Sequence, residues 1–394
     1  MNKVKVTDEI FYIGVDDETI DLFESQYEVP EGVSYNSYVI MDEKIAVMDT
    51  IDKRKTEEWL GNLEIVLEDR TPDYLIISHL EPDHAASIQV LAEKYPNMQM
   101  VGNAKTFQMI GNFFDMNLEG RTLTVKEGDV LSLGKHELSF YMAPMVHWPE
   151  VMVEYEKTEK ILFSADGFGK FGALRIKEDP AEAKLEDWAC EARRYYFNIV
   201  GKYGTPVQTL LKKASGLDIQ MICPLHGPVL KENLEYYIGK YNVWSSYEPE
   251  DKGIFIAYAS IHGNTKEAAL KLAECIGDKE KVVLSDLSRE DMSEAIEDAF
   301  RYDRMVVAAP TYDGGMFPVM EDFLRHLKCK AYQKRTVGII ENGSWAPMAG
   351  KLMSGLLGEM KDIEIIEPTV TIKSALNSDS IKAIEELAQA LIKG

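Results

Sequence analysis

His79-Leu80-Glu81-Pro82-Asp83-His84 lies directly behind the apolar run Tyr74-Leu75-Ile76-Ile77-Ser78. The run reads as a buried strand, and a tight loop at its exit turns several side chains toward one spot. Two imidazoles and two carboxylates converging there are costly to bury without a cation. Mixed nitrogen and oxygen donors suit iron, manganese or zinc. The carboxylates narrow the chemistry further. A site that only polarises water can manage with histidines, whereas one that stabilises ferric iron and changes oxidation state gains from hard anionic oxygen. The plain alternative is a polar loop in which Asp83 caps a helix starting near His84.

If this hexapeptide is one wall of a metal site, the opposing ligands belong at other strand exits. Three candidates stand there. His147 follows the strand-like run Glu137 to Met142, within Met145-Val146-His147-Trp148-Pro149. Asp166 ends the run from Lys160, just before Gly167. His226 ends the run from Ile219, just before Gly227-Pro228. Taken singly, a histidine after a strand is an ordinary loop residue, and an Asp before Gly is a turn former. Together they weigh more, because the chain has 7 histidines and four fall in this set.

The 394 residues exceed one ordinary core, so two domains are expected. With 45% hydrophobic residues each can bury a sizeable one. A formal charge of −23 argues against nucleic acid and anionic membranes as partners. No apolar run is long enough to span a bilayer, and Met1 to Glu9 holds no signal-peptide core. A cytoplasmic location is expected. Cys190, Cys223, Cys275 and Cys329 are scattered without a CxxC pair, which excludes a locally ligated iron–sulfur or rubredoxin-type centre.

Before Tyr247 the chain mixes short strands (Glu9 to Ile13, Ser37 to Met41, Lys44 to Asp49, Glu137 to Met142) with helical patterns. The helices fall at Lys55 to Leu67, His84 to Lys94, Thr106 to Phe114 and Ala181 to Asn198. Tyr247 to Lys252, polar and holding Pro249, reads as a linker. From Gly253 onward five apolar runs alternate with five helical stretches. The strands are Ile254 to Tyr258, Lys281 to Leu284, Arg304 to Ala309, Thr336 to Ile340 and Ile363 to Ile366. Strict alternation predicts a doubly wound parallel sheet. The turn Ser260-Ile261-His262-Gly263-Asn264-Thr265 opens a helix with small and hydroxyl residues, which offers backbone N–H groups to an anion.

This turn resembles the phosphate loop of flavodoxins, Ser/Thr-x-x-Gly-Asn-Thr. Two more loops support the resemblance: Pro310-Thr311-Tyr312-Asp313-Gly314-Gly315 and Asn342-Gly343-Ser344-Trp345-Ala346. In a 2-1-3-4-5 sheet these follow strands one, three and four and surround the switch-point crevice. The implied cofactor is FMN, with its phosphate on the first loop, backbone contacts to the ring from Thr311 to Gly315, and Trp345 against the ring.

The order of the metal candidates resembles the metallo-β-lactamase fold, with one specific departure. Glu81 stands where hydrolases of that fold generally have His, and the pattern His-x-Glu-x-Asp-His looks like the flavodiiron proteins. The resemblance implies an αββα sandwich over residues 1–248, followed by a flavodoxin-like doubly wound sheet over 253–394. It implies one iron held by His79, Glu81 and His147, a second by Asp83, His84 and His226, and Asp166 bridging them. Two ferrous ions bring four positive charges, which three carboxylates and a bridging hydroxide offset, so the centre tolerates burial. The activity implied is reduction of dioxygen to water, of nitric oxide to nitrous oxide, or both, in the minimal two-domain class. The electron donor would be rubredoxin or a reduced deazaflavin. The assembly would be a head-to-tail homodimer, or a dimer of such dimers, bringing one subunit's flavin to the other's irons. Tyr195 is the candidate proton donor to a bound diatomic, with Tyr196 beside it. A packing role on a helix is as good a reading for either. Two rival classes are a zinc hydrolase fused to a flavodoxin domain and an electron-transfer flavoprotein with a degenerate first domain.

Overall fold

Tyr74–Ile76 is an inner strand of a seven-stranded sheet. Its order is Val4–Lys5, Ile10–Tyr12, Tyr38–Ile40, Ala46–Met48, Tyr74–Ile76, Gln99–Asn103 and Thr122–Val125. The first four are antiparallel and the rest parallel. A five-stranded sheet follows, in the order Val130–Ser132, Glu137–Met142, Met152–Glu156, Ile161–Phe163 and Met221–Cys223. The computed structural model describes residues 3–176, 179–181 and 188–393.

Side-chain alternation explains how the two sheets meet. Ala46, Met48, Ile76 and Val101 of one sheet share a core with Phe140, Met152, Ile161 and Phe163 of the other. Val47 and Leu75 point the opposite way and are also fully buried, so that sheet is covered on both faces. This is the layering of the expected sandwich.

Strand register then fixes where the candidate ligands emerge. Ile161–Phe163 runs parallel to Met221–Cys223 with Phe163 opposite Cys223. The Leu225 N–H donates to the Ala165 carbonyl at 2.9 Å, which extends the register. Asp166 and His226, each three residues past that pair, therefore leave the sheet at one level. His79 lies three residues past Ile76. The Met152 N–H donates to the Ser78 carbonyl at 3.1 Å and ties the two sheets together beside it.

Several expected helices differ in extent. The stretch His84 to Lys94 is not one helix but Pro82–Ala85 followed by Ile88–Lys94. The backbone N–H and hydroxyl of Thr50 both donate to the His84 carbonyl, at 2.9 and 2.7 Å, and take it out of helix hydrogen bonding. Thr106 to Phe114 is Ala104–Ile110, capped by the Asn103 side chain. Of Ala181 to Asn198, the helix Trp188–Tyr195 is seen, continuing as a π turn at Tyr196–Val200. Residues 182–187 lie outside the described residues.

The chain divides into two units, Met1–Tyr196 with Thr205–Asn242, and Phe197–Gly204 with Val243–Gly394. The second holds a parallel sheet in the order Val282–Asp286, Asp251–Tyr258, Tyr302–Tyr312, Arg335–Asn342, then the fifth strand. That is the expected 2-1-3-4-5 arrangement. The fifth strand is split, because Ile363–Ile365 and Val370–Ile372 pair with successive parts of Arg335–Asn342. Sequence reading placed only Ile363 to Ile366. Pro368, which has no N–H to give a ladder, lies in the break. Helices Asn264–Ile276 and Ser378–Lys393 enclose the core of Ile254, Ile256, Val306, Ile340 and Leu387.

Candidate functional site

The strand exits bring all seven predicted ligands together in two sets. His79 Nε2 lies 3.2 Å from Glu81 Oε2 and 3.4 Å from Asp166 Oδ2. His147 Nε2 lies 2.9 Å from Glu81 Oε2 and 3.1 Å from Asp166 Oδ2. In the second set, His84 Nε2 is 3.3 Å and His226 Nε2 3.2 Å from Asp83 Oδ2. The two imidazoles are 3.0 Å apart. Asp166 turns its other oxygen, Oδ1, to this set, 3.2 Å from His84 and 3.8 Å from His226. One carboxylate thus serves both sets with a different oxygen.

These distances fit metal binding. Donors about 2.1 Å from one ion, at angles between 90° and tetrahedral, lie about 3.0 to 3.4 Å from each other. The hydrogen-bond inventory agrees. Both oxygens of Asp83, Oδ1 of Asp166 and Nε2 of His147 are buried without a hydrogen-bond partner among the described residues. Unsatisfied buried polar atoms are expensive, and cations at the two foci would satisfy them. Asp83 caps no helix, since Glu81 holds the N-cap position of Pro82–Ala85 and its side chain makes no cap bond. The capping alternative therefore fails.

Electrostatics without ions show the strain on this cluster. Burial disfavours a charged His147, yet the adjacent Asp166 and Glu81 carboxylates outweigh it and push the imidazole up to about 9. Burial likewise works against the Asp166 anion, but His147 and His84 hold that carboxyl well below its usual range. Metal ions replace the protons that this arrangement otherwise demands.

Supporting groups were not found from sequence. The buried Glu150 carboxylate accepts from His79 Nδ1 at 2.8 Å and from the Leu80 N–H at 2.9 Å. The Ser34 carbonyl accepts from His226 Nδ1 at 2.7 Å. Asp49 accepts from the Ser78 N–H at 2.8 Å, and Asn36 donates to the Pro224 and Gly227 carbonyls on either side of His226. Each fixes a ligand's ring or loop, the usual role of outer partners in a metal site. Glu150 did carry a signal, as a carboxylate three residues after His147 in the same loop. Asn36 and Ser34 carried none, because the chain separates them from His226 by some 190 residues.

Tyr195 and Tyr196 part company. Tyr195 is fully buried with its ring 5.5 Å from that of His226, and its hydroxyl has no hydrogen-bond partner among the described residues. Burial, reinforced by the charges of Asp166, Asp83 and Glu81, holds its phenol protonated. Tyr196 packs instead against Tyr241, 5.1 Å between ring centres. A mouth of about 270 Å³ lined by Phe23, Glu24, Tyr35, Arg54, Glu81 and Asp83 reaches the ligand set from outside. Much of Glu24 is exposed, but burial of its carboxyl and the neighbouring Glu81 charge push it up to about 8.

In the second unit the three predicted loops line one cleft of about 690 Å³. Ser260, Ile261, His262, Asn264 and Thr265 form one wall, Pro310, Thr311, Tyr312, Asp313 and Gly314 another, and Asn342 to Ala346 the third. Gly263 and Gly315 shape the loops without lining the cleft. Gly263, with φ of 96°, caps the helix Asn264–Ile276, and its N–H donates to Ser260 Oγ. Gly315 opens the short strand Gly315–Met316 after the turn at Asp313 and Gly314. Met348 and Ser374 also line the cleft and were not anticipated. Ser374 follows the second half of the split strand, the half that sequence reading missed. The Trp345 ring is 83% exposed, so it is a free face rather than a core aromatic. A flat apolar ring carrying a phosphate fits this cleft.

Comparison with known proteins agrees with both halves. Residues 33–227 match the family described as ODP family beta lactamase, and residues 255–362 match the flavodoxin domain. The class is therefore a β-lactamase-like metal domain followed by a flavodoxin domain, which implies FMN. An anaerobic nitric oxide reductase flavorubredoxin of Vibrio vulnificus is 29% identical over 352 residues, spanning 87% of this chain and 70% of that one. The rubredoxin oxygen:oxidoreductase of Desulfovibrio gigas superposes with a TM-score of 0.93 at 25% identity, over 100% of this chain and 98% of that one. The flavodiiron protein of Giardia intestinalis shares the fold with a TM-score of 0.92 at 24% identity, over 100% and 96%. The chain thus carries both domains of the flavodiiron oxidoreductases in the same order and resembles those proteins over its length.

Proposed function

We propose that this protein reduces dioxygen to water, nitric oxide to nitrous oxide, or both, at two irons held by its first unit and supplied with electrons through FMN in its second. The observation that carries the reading is Asp166. One buried carboxylate stands between two three-residue donor sets, and one of those sets contains Glu81. His79, Glu81 and His147 would hold one ion, Asp83, His84 and His226 the other, and Asp166 both. When bound, the irons and the flavin together hold the four electrons that dioxygen reduction consumes, and an iron pair brings two nitric oxide molecules side by side.

The protein's own groups do the rest. Glu150 and the Ser34 carbonyl take the Nδ1 protons of His79 and His226, leaving Nε2 of each ring free to bind metal. Tyr195, neutral and without a hydrogen-bond partner among the described residues, would donate a proton toward the ligand set from its place beside His226. The mouth beside Glu24 admits small solutes. Trp345 would cover the ring of a bound flavin, and the Gly263 turn would receive its phosphate.

The domains are assigned as 1–248 for the irons and 253–394 for FMN. The donor is rubredoxin or a reduced deazaflavin, and the working form is a head-to-tail dimer or a pair of such dimers. No helix among the described residues is long and apolar enough to cross a membrane. The test is metal content after anaerobic purification, followed by gas consumption. About two irons per chain, with uptake of either gas by the reduced protein, is the expected result. Two zincs that persist when iron is supplied in growth would overturn it in favour of a hydrolase. Flavin without metal would leave an electron-transfer protein.

A further inference from the structure

A second cavity, of about 240 Å³, lies within the first unit on the outer face of the five-stranded sheet. Its floor is Leu162 and Ile222, whose neighbours Ile161, Phe163 and Cys223 point to the opposite, inner core. Its roof is Val207 and Leu211 of the helix Gly204–Ala214. One end is closed by Val146 and Phe168, the residues immediately before His147 and two after Asp166. The cavity therefore runs from a half-buried rim at Leu211 and Ala214 to the backs of two ligand loops.

Its polar groups are already engaged. Ser164 Oγ donates to the Gly167 carbonyl at 2.6 Å, and the Tyr241 hydroxyl accepts from the Phe168 N–H. Water would find few partners here. An apolar cavity of about 150 Å³ stays dry and takes xenon or benzene, so this one has room for several diatomic molecules. Phe168 carries a φ of 68°, a conformation costly for an aromatic residue. Its ring, stacked 4.2 Å from Tyr241, is thereby held at the inner end.

We infer that this cavity is a holding site for uncharged diatomic gas, from which dioxygen or nitric oxide reaches the ligand loops past Val146 and Phe168. The inference rests on the proposed function, which names gas as the substrate. Apolar surroundings favour such molecules over water, while charged solutes are confined to the mouth beside Glu24.

The test has two readouts. Crystals of the holoprotein are pressurised with xenon, and the gas KM and kcat are measured for the wild type, Ala214→Phe and the milder Ala214→Val. Expected are xenon density between Leu162 and Leu211 in the wild type, its loss in Ala214→Phe, and a KM for gas raised about fivefold with kcat and iron content unchanged. Absence of xenon in a wild type that consumes gas normally overturns this inference alone. Xenon binding with an unchanged KM in a variant that excludes it also overturns it, and identifies a packing void. A wild type that consumes neither gas sinks the functional reading, and delivery with it.

Discussion

Glu150 shows how much of this site depends on a residue that binds no metal. Its carboxylate fixes the ring of His79 through Nδ1 and the loop through the Leu80 N–H. Glu150→Gln is expected to weaken metal binding by about 10- to 100-fold while the fold persists, as read by competition with a chelator and by circular dichroism. Unchanged affinity would mean that the loop alone orients His79. All seven ligand positions could be proposed from sequence because they cluster at the exits of apolar runs. Glu150, for all its nearness to His147 in the chain, is passed over, since a carboxylate in a loop reads as solvated until the fold buries it. The same blindness hid His136, at the other end of the sandwich. This histidine is buried between Glu156 and Glu9, each 3.0 Å away, with Asp42 on its backbone N–H and Lys135 beside Glu9. Burial opposes its charge, but the hydrogen bonds to Glu156 and Glu9 win and raise its pKa. A raised histidine stabilises the fold fully below its ordinary value of about 6.5, and that contribution fades as pH climbs through the raised value. Urea midpoints should therefore decline with pH above about 6.5, and His136→Asn should remove that decline. An equal slope in the variant would assign it to other groups.

At the scale of elements, the two halves differ in how openly they declare themselves. The second unit's sheet alternates strands and helices so regularly that its doubly wound parallel form follows from the pattern, while its strand order follows from the resemblance of its loops to those of flavodoxins. Only the fifth strand misleads, because Pro368 interrupts it and Val370–Ile372 is too short to announce itself. The sandwich is harder to read. Many of its strands are two or three residues long, below the length at which alternation is visible. Its helices start or stop where tertiary hydrogen bonds intervene, as at Thr50 and His84. The turn between Tyr258 and Asn264 is the element most exposed to a single change. Gly263 holds a φ of 96° with no atom near its missing side chain, so the demand there is conformational, not spatial. Gly263→Val should cost about 1–2 kcal/mol at the turn and lower FMN affinity by about tenfold, read by flavin fluorescence titration. Metal content should not change. Affinity equal to wild type would mean that the phosphate is held elsewhere in the cleft.

For the whole molecule, the deciding question is which flavin serves which irons. Each unit has its own core, and each site is built from residues of one unit. Each site can therefore be disabled without altering the residues of the other. In a two-fold dimer the same surfaces meet twice, so a head-to-tail arrangement gives two flavin–iron pairs, each drawn from both chains. Complementation separates the cases. Asp166→Ala, which removes the shared carboxylate, should retain flavin and lose iron, whereas Gly263→Val, stripped of its weakened FMN by dialysis and assayed without added FMN, should retain iron and carry no flavin. Neither alone should consume gas. Dissociated, mixed in equal amounts and allowed to reassociate, half of the dimers become hybrids. Each hybrid then holds one intact pair out of two, formed by the first variant's flavin and the second variant's irons. Activity should return to about a quarter of the wild-type value under random two-fold pairing. If electrons passed within a chain, every hybrid would lack one partner of each pair and the mixture would stay inactive, which would exclude the head-to-tail assembly.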